Sequence, residues 1–288
     1  MSVPPGDNFR TMSLTERIAA ALPSGGGLGA VRRRLKPLFA RWLSRSGSLR
    51  SVLAGGEVVL VAAEFRHITW NADEYAAFRD AVRPGDVVLE AGANVGAYTV
   101  LFAQWVGASG CVYAFEPDPL AHAGLQQHIA LNAVGDRVFP VAAAVSDGRE
   151  KTVRLALSES SGLSRLLQAN EPAAKTTNVA AVSIDRFCAE HRLAPRVIKI
   201  DVEGAELAAL RGARATIAAG GAELQLFVEM HPRLWADADE LRHECEAQRL
   251  VVERLDGSGE DPWQTEGVCL RLRPAGACLA EALAKAGA

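Results

Sequence analysis

Short apolar segments alternate with longer amphipathic segments over most of this chain. The short segments are typical of buried strands because they are almost continuously apolar, and the longer ones are typical of covering helices. The pattern predicts strands at Val58–Val61, Asp86–Ala91, Cys111–Phe115, Val138–Val145, Arg196–Asp201, Leu224–Met230, Val251–Leu255 and Val268–Leu272. It predicts helices at Ala72–Val82, Ala97–Val106, Pro119–Ala133, Ala205–Ala219 and Ala236–Gln248. This order indicates an α/β fold with a mostly parallel sheet and helices on both faces.

Charge divides the chain into two parts. Residues 1–50 carry nine Lys and Arg against Asp7 and Glu16, a balance of +7, so the remainder sums to −3 − 7 = −10. We therefore predict a basic N-terminal arm over residues 1–55, partly helical or flexible, and a domain over 56–288 with its core at 72–256. The polar segment at about 146–184 interrupts the alternation and is predicted to be an insertion at the active-site edge.

The composition argues against several classes of protein. No apolar run approaches the roughly 20 residues of a membrane-spanning helix, and the N-terminus has no signal-peptide pattern. Five scattered cysteines without a Cys-x-x-Cys pair indicate neither a disulfide framework nor a zinc site, so we expect a cytoplasmic protein. The acidic body argues against a nucleic-acid substrate, whereas the basic arm is compatible with peripheral contact with a membrane surface.

A glycine-containing turn follows the strand that ends in Glu90. Gly92 and Gly96 allow the backbone to approach a ligand closely, and the next helix offers free N–H groups at its N-terminus. Glu116 ends the following strand, 116 − 96 = 20 positions beyond Gly96. This spacing suits a carboxylate that accepts hydrogen bonds from ribose hydroxyls. The two strand ends together predict a cofactor that contains a nucleoside.

Polar residues also follow two later strands. Alternation places Lys199 and Asp201 on one face of their strand, with Asp201 at its tip. His231 follows the next strand and is a candidate general base, because an ordinary imidazole takes up a proton near neutral pH. A histidine that caps the following helix is the alternative. Glu229 is expected to orient His231, bind a metal or contact a polar substrate.

A metal at this Glu/His/Asp trio is a further alternative. The spacing of the three residues has no strong metal signature, so the sequence predicts no metal. The acidic residues in the next turn, Glu203 and Glu206, have the competing role of complementing a helix N-terminus.

Three more residues are candidates for cofactor binding. Ser146 and Asp147 close the third strand of the series, where an adenine would lie if its ribose were on Glu116. A turn residue before Gly148 is the competing role for Asp147. Glu74 precedes the strand that carries the glycine turn and is predicted to fold over the cofactor.

These segments together resemble the FkbM family of S-adenosylmethionine-dependent methyltransferases over roughly residues 72–256. The K-x-D-x-E-G-x-E block at 199–206 is the most specific part of the resemblance, and Glu90 departs from the aspartate that the family often has. The segments that carry it are Val88–Gly96, Phe115–Pro117, Ala144–Asp147, Ser183–Asp185, Ile198–Glu206 and Val228–Pro232.

The resemblance implies a Rossmann-like, seven-stranded class I methyltransferase sheet with an antiparallel last strand. It implies S-adenosyl-L-methionine as cofactor and O-methylation of a hydroxyl on a sugar, polyketide or other small metabolite of secondary metabolism. The cofactor-binding candidates are then Glu74, Glu90, Gly92, Asn94, Gly96, Tyr98, Glu116, Ser146, Asp147 and Asp201. The catalytic candidates are Asp201, His231, Lys199 and Glu229.

Two other functions remain as alternatives. An NAD(P)-binding Rossmann oxidoreductase would share the ribose carboxylate, but the turn lacks the three-glycine pattern that accommodates a pyrophosphate. A catalytically silent binding protein would share the fold, but Asp201, Glu203 and His231 argue against it.

Overall fold

The computed structural model describes residues 8–9, 48–157, 165–166, 175–234 and 238–274. Its strands are β1 (Asn8–Phe9), β2 (Ser48–Val52), β3 (Val58–Ala62), β4 (Trp70–Asn71), β5 (Val87–Ala91), β6 (Cys111–Phe115), β7 (Val138–Val141), β8 (Ala143–Val145), β9 (Thr152–Ala156), β10 (Arg165–Leu166), β11 (Thr176–Val182), β12 (Val197–Ile200), β13 (Gln225–Met230), β14 (Leu250–Arg254) and β15 (Val268–Pro274). Its α-helices are α1 (Ala72–Ala81), α2 (Ala97–Val106), α3 (Pro119–Leu131), α4 (Ile184–His191), α5 (Glu206–Arg211), α6 (Arg214–Gly220) and α7 (Ala238–Ala247).

The main sheet has the order β14-β15-β13-β12-β5-β6-β7 among the described residues. Strands β13, β12, β5, β6 and β7 pair in parallel, and β15 is antiparallel to both of its neighbours. In the register, Lys199 lies opposite both Glu90 and Phe227, which brings the carboxyl ends of β5, β12 and β13 level with one another. The seven-stranded, mostly parallel sheet with an antiparallel last strand is therefore confirmed.

Helices cover both faces of this sheet, as the sequence predicted. Helices α1, α2 and α3 pack on one face through the buried side chains of Phe78, Phe102 and Leu125. Helices α4 to α7 bury residues such as Phe187 and Leu210 on the other face. Both faces of the central strands are thus removed from water, which explains why these strands are almost continuously apolar in sequence.

The predicted single strand Val138–Val145 is wrong, because the structure divides it into two strands. Strand β7 lies at the edge of the main sheet, where Pro140 is tolerated because no neighbour needs its missing N–H. Strand β8 leaves that sheet and pairs in parallel with β11. The chain therefore changes sheets just before Ser146.

The predicted helix Ala205–Ala219 is also wrong, because α5 ends before Gly212 and α6 begins after it. A Cβ on Gly212 would lie 2.1 Å from the carbonyl oxygen of Ser146, so only glycine allows this close approach. Asp185 supports the break, since its carboxylate accepts hydrogen bonds from the N–H groups of Ala215 and Thr216. The tertiary contacts of Gly212 and Asp185 therefore outweigh the helical pattern of the sequence.

The polar segment predicted as an insertion contains β9, β10 and β11. These strands form a second sheet with β8 in the order β10-β9-β11-β8. Upstream, β2 and β3 form an antiparallel pair. Most of the basic segment, residues 10–47, lies outside the described residues, and the proposed division at residue 55 stays a prediction. No helix in the described part of the chain is long and apolar enough to cross a membrane.

The turn after β5 lies directly against the end of β12. Gly92 has a φ of 83°, and a Cβ at this position would lie 1.6 Å from the carbonyl oxygen of Asp201. No side chain fits into that space, so glycine is required here for its size as well as for its backbone conformation. This contact sets the distance between the glycine turn and Asp201.

We expect Gly92→Ala to lower the free energy of unfolding by roughly 2–4 kcal/mol, because the strand end must move to relieve the overlap. Gly56→Ala is the matched control, since Gly56 has a φ of 91° but open space around its Cβ position. Its cost is expected to be about 1–2 kcal/mol, from the left-handed backbone alone. Urea denaturation of both variants measures the difference, and equal losses would contradict the role of the close contact.

Candidate active site

An open cleft lies beyond the carboxyl ends of β5, β6, β12 and β13, where ligands of parallel α/β sheets bind. It contains about 760 Å³ of space unfilled by atoms, part of which is open solvent. The residues that line it include Gly92, Asn94, Glu116, Asp118, Ala144, Val145, Leu155, Asp201, Glu203 and Glu229. Leu155 comes from β9, so the insertion predicted from sequence contributes to the wall of this cleft.

Glu116 is buried at the end of β6 and lines the cleft. Its two carboxylate oxygens accept hydrogen bonds of 2.8 Å from the N–H groups of Asn94 and Asp118. Burial raises the pKa of Glu116 to about 7, although these two N–H donors act in the opposite direction. Each oxygen keeps a second lone pair, so the carboxylate can still accept hydrogen bonds from a ligand hydroxyl.

The glycine turn leaves one polar atom without a partner. Asn94 lines the cleft in a left-handed conformation, with φ of 50°, and its side-chain oxygen is buried without a hydrogen bond among the described residues. A buried acceptor of this kind costs stability unless a ligand or water donates to it. Gly96 begins α2 with φ of 89°, and a Cβ there would lie 2.7 Å from a methyl carbon of Leu125.

Glu90 lies at the floor of the site and is almost completely buried. Its carboxylate accepts a hydrogen bond from the hydroxyl of Thr99 in the first turn of α2. Burial raises the pKa of Glu90 to about 7, while the charge of Lys199 lowers it. Glu90 is not among the residues that line the cleft.

Lys199 is the buried cation of the site. Its side chain is 3% exposed, and its ammonium group donates a 2.8 Å hydrogen bond to Asp201. Burial lowers the pKa of Lys199, but Asp201, Glu90 and Glu229 raise it above its ordinary value. Burial raises the pKa of Asp201, and Lys199 outweighs that effect and lowers it. The predicted placement of Lys199 and Asp201 on one face of β12 is confirmed.

Asp201, Glu203, Glu206, Glu229 and His231 form what we call the carboxylate–histidine cluster. The Nδ1 atom of His231 lies 2.8 Å from Oε1 of Glu206, which is completely buried. Burial lowers the pKa of His231, but the hydrogen bond to Glu206 and the neighbouring carboxylates raise it to about 9. Burial and repulsion from Asp201 raise the pKa of Glu229 to about 9. The cluster thus has more acidic groups than cations to balance them.

Glu74 and Tyr98 lie on the other side of Lys199. Asn71 caps α1 by accepting hydrogen bonds from the N–H groups of Asp73 and Glu74, which places Glu74 in the first helical turn. The hydroxyl of Tyr98 accepts from the N–H of Asn71 and is hydrogen-bonded to Glu74. The ammonium group of Lys199 lies 5.7 Å from the centre of the Tyr98 ring. Neither Glu74 nor Tyr98 lines the main cleft.

Ser146 and Asp147 lie apart from the cleft lining. The Ser146 hydroxyl accepts a hydrogen bond from the N–H of Gly148, and the Asp147 carboxylate accepts from the N–H of Arg149. Both interactions are those of a turn, which was the competing role considered for Asp147. Ala144 and Val145, two positions and one position before Ser146, line the cleft.

A second cavity lies on the opposite side of the cluster. It is lined by Asn71, Asp73, Glu74, Arg254, Leu255, Asp256, Thr265, Glu266, Gly267, Val268 and Cys269. A Cβ on Gly267 would lie 4.0 Å from a carboxylate oxygen of Glu229, which itself lines the main cleft. The cluster therefore lies between two spaces that a ligand could enter.

Sequence comparison identifies the class of protein. The model of the methyltransferase FkbM domain matches residues 90–249, more than half of the chain. The chain belongs to the FkbM methyltransferase family, so it is a methyltransferase and S-adenosyl-L-methionine is its cofactor. No curated protein is similar enough in sequence to count as a match.

Solved structures of low sequence identity resemble the chain. A SAM-dependent O-methyltransferase from Thermotoga maritima is 11% identical, with 78% of this chain and 76% of that chain covered and a TM-score of 0.45. Fibrillarin from Aeropyrum pernix with natively bound S-adenosyl-L-methionine is 12% identical, with 78% and 94% covered and a TM-score of 0.38. These likenesses are too distant to assign any residue.

The residues around the cleft fit this cofactor. The unpartnered oxygen of Asn94 and the carboxylate of Glu116 offer acceptors to its ammonium and ribose hydroxyl groups. Ala144, Val145 and Leu155 offer an apolar wall to a base. The surrounding carboxylates also suit a ligand that carries a positive charge.

Sequence reasoning missed the contributions of Thr99 and Asp118. Thr99 contacts Glu90 through the first turn of α2, and Asp118 caps α3 while its N–H supports Glu116. The Asp-Pro pair at the start of α3 is a helix-start signal from which the role of Asp118 could have been predicted. No comparable signal indicated Thr99, whose partner is nine positions away on another element.

We expect Lys199→Met to lower the free energy of unfolding by roughly 2–4 kcal/mol, because it leaves Asp201 beside Glu90 and Glu229 without the buried cation. Arg186→Met is the control, since the Arg186–Glu190 pair is exposed and should contribute less than about 1 kcal/mol. Urea denaturation of both variants at neutral pH gives the two values. A Lys199→Met loss as small as the control would show that the pair does not stabilise the strand ends.

Proposed function

We propose that this methyltransferase transfers a methyl group to a hydroxyl of a sugar, polyketide or other small metabolite of secondary metabolism. The observation that carries the proposal is the position of the carboxylate–histidine cluster at the end of the cofactor cleft. Transfer to a hydroxyl releases a proton, and a cluster of this kind provides groups that accept it. Asp201 and Glu229 line the cleft, so both can contact an acceptor beside the cofactor.

The proposed cofactor position follows the family resemblance, with one change. Glu90 and the Gly92–Gly96 turn hold the methionine end, and Glu116 holds the ribose. The adenine contacts Val145 and Leu155, with Ser146 and Asp147 shaping the turn behind them rather than reaching the ring. The side-chain oxygen of Asn94 accepts from the cofactor, which supplies the partner that this buried atom otherwise lacks.

The chain's own residues orient the acceptor and remove its proton. When bound, S-adenosyl-L-methionine supplies a methyl group activated by its sulfonium, whose bonding electron pair stays on sulfur as the methyl leaves. The acceptor oxygen must then lie in line with that methyl at about 3 Å. Asp201 takes the hydroxyl proton, because it faces the cleft whereas His231 lies behind it. Lys199 holds Asp201 in place through their hydrogen bond.

The second cavity is the proposed entrance for the acceptor. It adjoins Glu74 and reaches Glu229 past Gly267, so a molecule in it would lie on the far side of the cluster from the ribose carboxylate Glu116. Its polar lining suits a hydroxylated acceptor more than a purely apolar one. Arg254 is already hydrogen-bonded to Asp256 and Thr265. The acidic residues therefore have the stronger influence on the charge of this cavity.

The remaining sequence-based expectations belong to this proposal as well. A cytoplasmic setting agrees with the four described cysteines, all of which are free. The absence of a nucleic-acid substrate and the peripheral membrane contact by the basic arm stay predictions. Family membership favours methyl transfer over the NAD(P)-dependent alternative. The silent-protein alternative predicts no turnover with any acceptor, and a methyl-transfer assay over a panel of hydroxylated metabolites tests it.

We expect Asp201→Asn to lower kcat by about 10²–10⁴-fold, since the amide cannot take the proton, while the Kd for S-adenosyl-L-methionine changes little. His231→Ala should act in the same direction. Radiolabelled methyl transfer gives kcat, and isothermal titration calorimetry gives the Kd. Wild-type rates for both variants would contradict the assignment of this cluster.

We expect the opposite pattern for Glu116→Ala, with a Kd for the cofactor weakened by roughly 10–100-fold, because a charged hydrogen-bond acceptor is lost. Glu116→Gln keeps one oxygen acceptor and should weaken binding less. Glu223→Ala removes an exposed carboxylate outside the cleft and serves as the control for charge. Equal Kd values for Glu116→Ala and Glu223→Ala would contradict the role of Glu116.

A further inference from the structure

Three side chains from neighbouring strand ends converge on one point in the cluster. Asp201 follows β12, Glu229 lies in β13 and His231 follows β13. Each offers one ligand atom, and these three atoms lie within 4.8 Å of one another. Nε2 of His231 is 3.8 Å from Oδ1 of Asp201 and 3.8 Å from Oε1 of Glu229. Two carboxylates and an imidazole are a common ligand set for divalent metals in proteins.

The orientation of His231 is a second, independent observation. Its side chain is 8% exposed, and its Nδ1 lies 2.8 Å from the completely buried carboxylate of Glu206. Because a carboxylate only accepts, Nδ1 keeps its proton in this hydrogen bond, so a metal ion that displaces a ring proton would bind at Nε2. Metal-bound histidines are typically held in this way by a carboxylate on their other nitrogen.

The distances around Nε2 are too long for hydrogen bonds. Its nearest charged neighbours are oxygens of Asp201, Glu229 and Glu203 at 3.7–3.8 Å, and no hydrogen bond to this atom occurs among the described residues. Ligands about 2.1 Å from a shared ion lie roughly 3.0–3.5 Å apart at ordinary coordination angles. The two distances from Nε2 of His231 to the carboxylates of Asp201 and Glu229 therefore exceed this range by only a few tenths of an ångström.

Charge in this region favours a cation as well. Three partly exposed carboxylates, Asp201, Glu203 and Glu229, face His231, and Lys199 bonds only to the other oxygen of Asp201. The point between the three ligand atoms therefore has carboxylates on several sides. A divalent ion there would offset their mutual repulsion.

We propose that Asp201, Glu229 and His231 bind one divalent metal ion whose remaining coordination positions are open to the cleft. The mixed nitrogen and oxygen ligands suit Mn²⁺, Fe²⁺ or Zn²⁺ better than Ca²⁺. The ion holds the acceptor's hydroxyl oxygen and makes its proton more acidic; this role of the bound oxygen rests on the proposed function, whereas metal binding itself does not. Glu206 is then a positioning residue for His231. The proposal departs from the sequence prediction of a metal-free site.

Titration of the chelator-treated full chain with MnCl₂, followed by electron paramagnetic resonance, tests the proposal. We expect one Mn²⁺ per chain, seen as loss of the free-ion signal, and displacement of that ion by Zn²⁺. Glu229→Gln, which keeps the shape of the side chain, and His231→Gln should each abolish stoichiometric binding. Glu206→Gln should weaken it by roughly 10–100-fold through the orientation of His231. Glu223→Gln is the control, since this exposed carboxylate lies outside both cavities and the trio.

The outcomes separate this proposal from the proposed function. Absence of stoichiometric Mn²⁺ binding, or binding that Glu223→Gln weakens and Glu229→Gln does not, would overturn the metal site. Methyl transfer that persists unchanged in chelator would overturn the role of the ion while leaving O-methylation in place. Mn²⁺ binding that requires the trio, without methyl transfer to any hydroxyl, would uphold the metal site and overturn the proposed function.

Discussion

The buried ion pair between Lys199 and Asp201 is the interaction on which the rest of the site depends. A lysine with 3% of its side chain exposed requires compensation by nearby negative charge, and Asp201, Glu90, Glu229 and Glu74 supply it from three strands and a helix. The same requirement draws the ends of β5, β12 and β13 together around one point. The geometry of the site is therefore a consequence of stabilising the buried charge of Lys199 with protein groups in place of water.

The site has more acidic groups than basic ones, and that excess has a functional use. Carboxylates outnumber the cations around Lys199 and His231, so the empty site favours a positively charged ligand. A sulfonium cofactor meets this condition from the side of Glu116, and a divalent ion meets it from the side of His231. The cofactor and the ion can bind at the same time, because Asp201 and Glu229 line the main cleft whereas His231 lies behind the wall of the cleft.

Local patterns in the sequence predicted the features that follow from the periodicity of strands and helices. They placed Lys199 and Asp201 on one face of a strand, and they located the two-sided sheet, because burial on both faces leaves a continuous apolar run. They did not predict that the chain changes sheets after the strand that contains Pro140. They also did not predict that a helix breaks at Gly212, where the backbone lies against that of Ser146. Contacts between distant segments determine both features. The Glu206–His231 bond also joins residues far apart in sequence, so spacing could not reveal it.

The central claim is that cofactor and acceptor meet at the end of β12. A crystal structure with S-adenosylhomocysteine bound tests it most directly, because the position of the product's sulfur marks where the methyl group leaves. We expect its ribose on Glu116 and its sulfur facing the Asp201 and Glu229 carboxylates, with room for one acceptor oxygen at about 3 Å from the methyl position. A product whose sulfur points away from these carboxylates, or which binds outside the main cleft, would contradict the account.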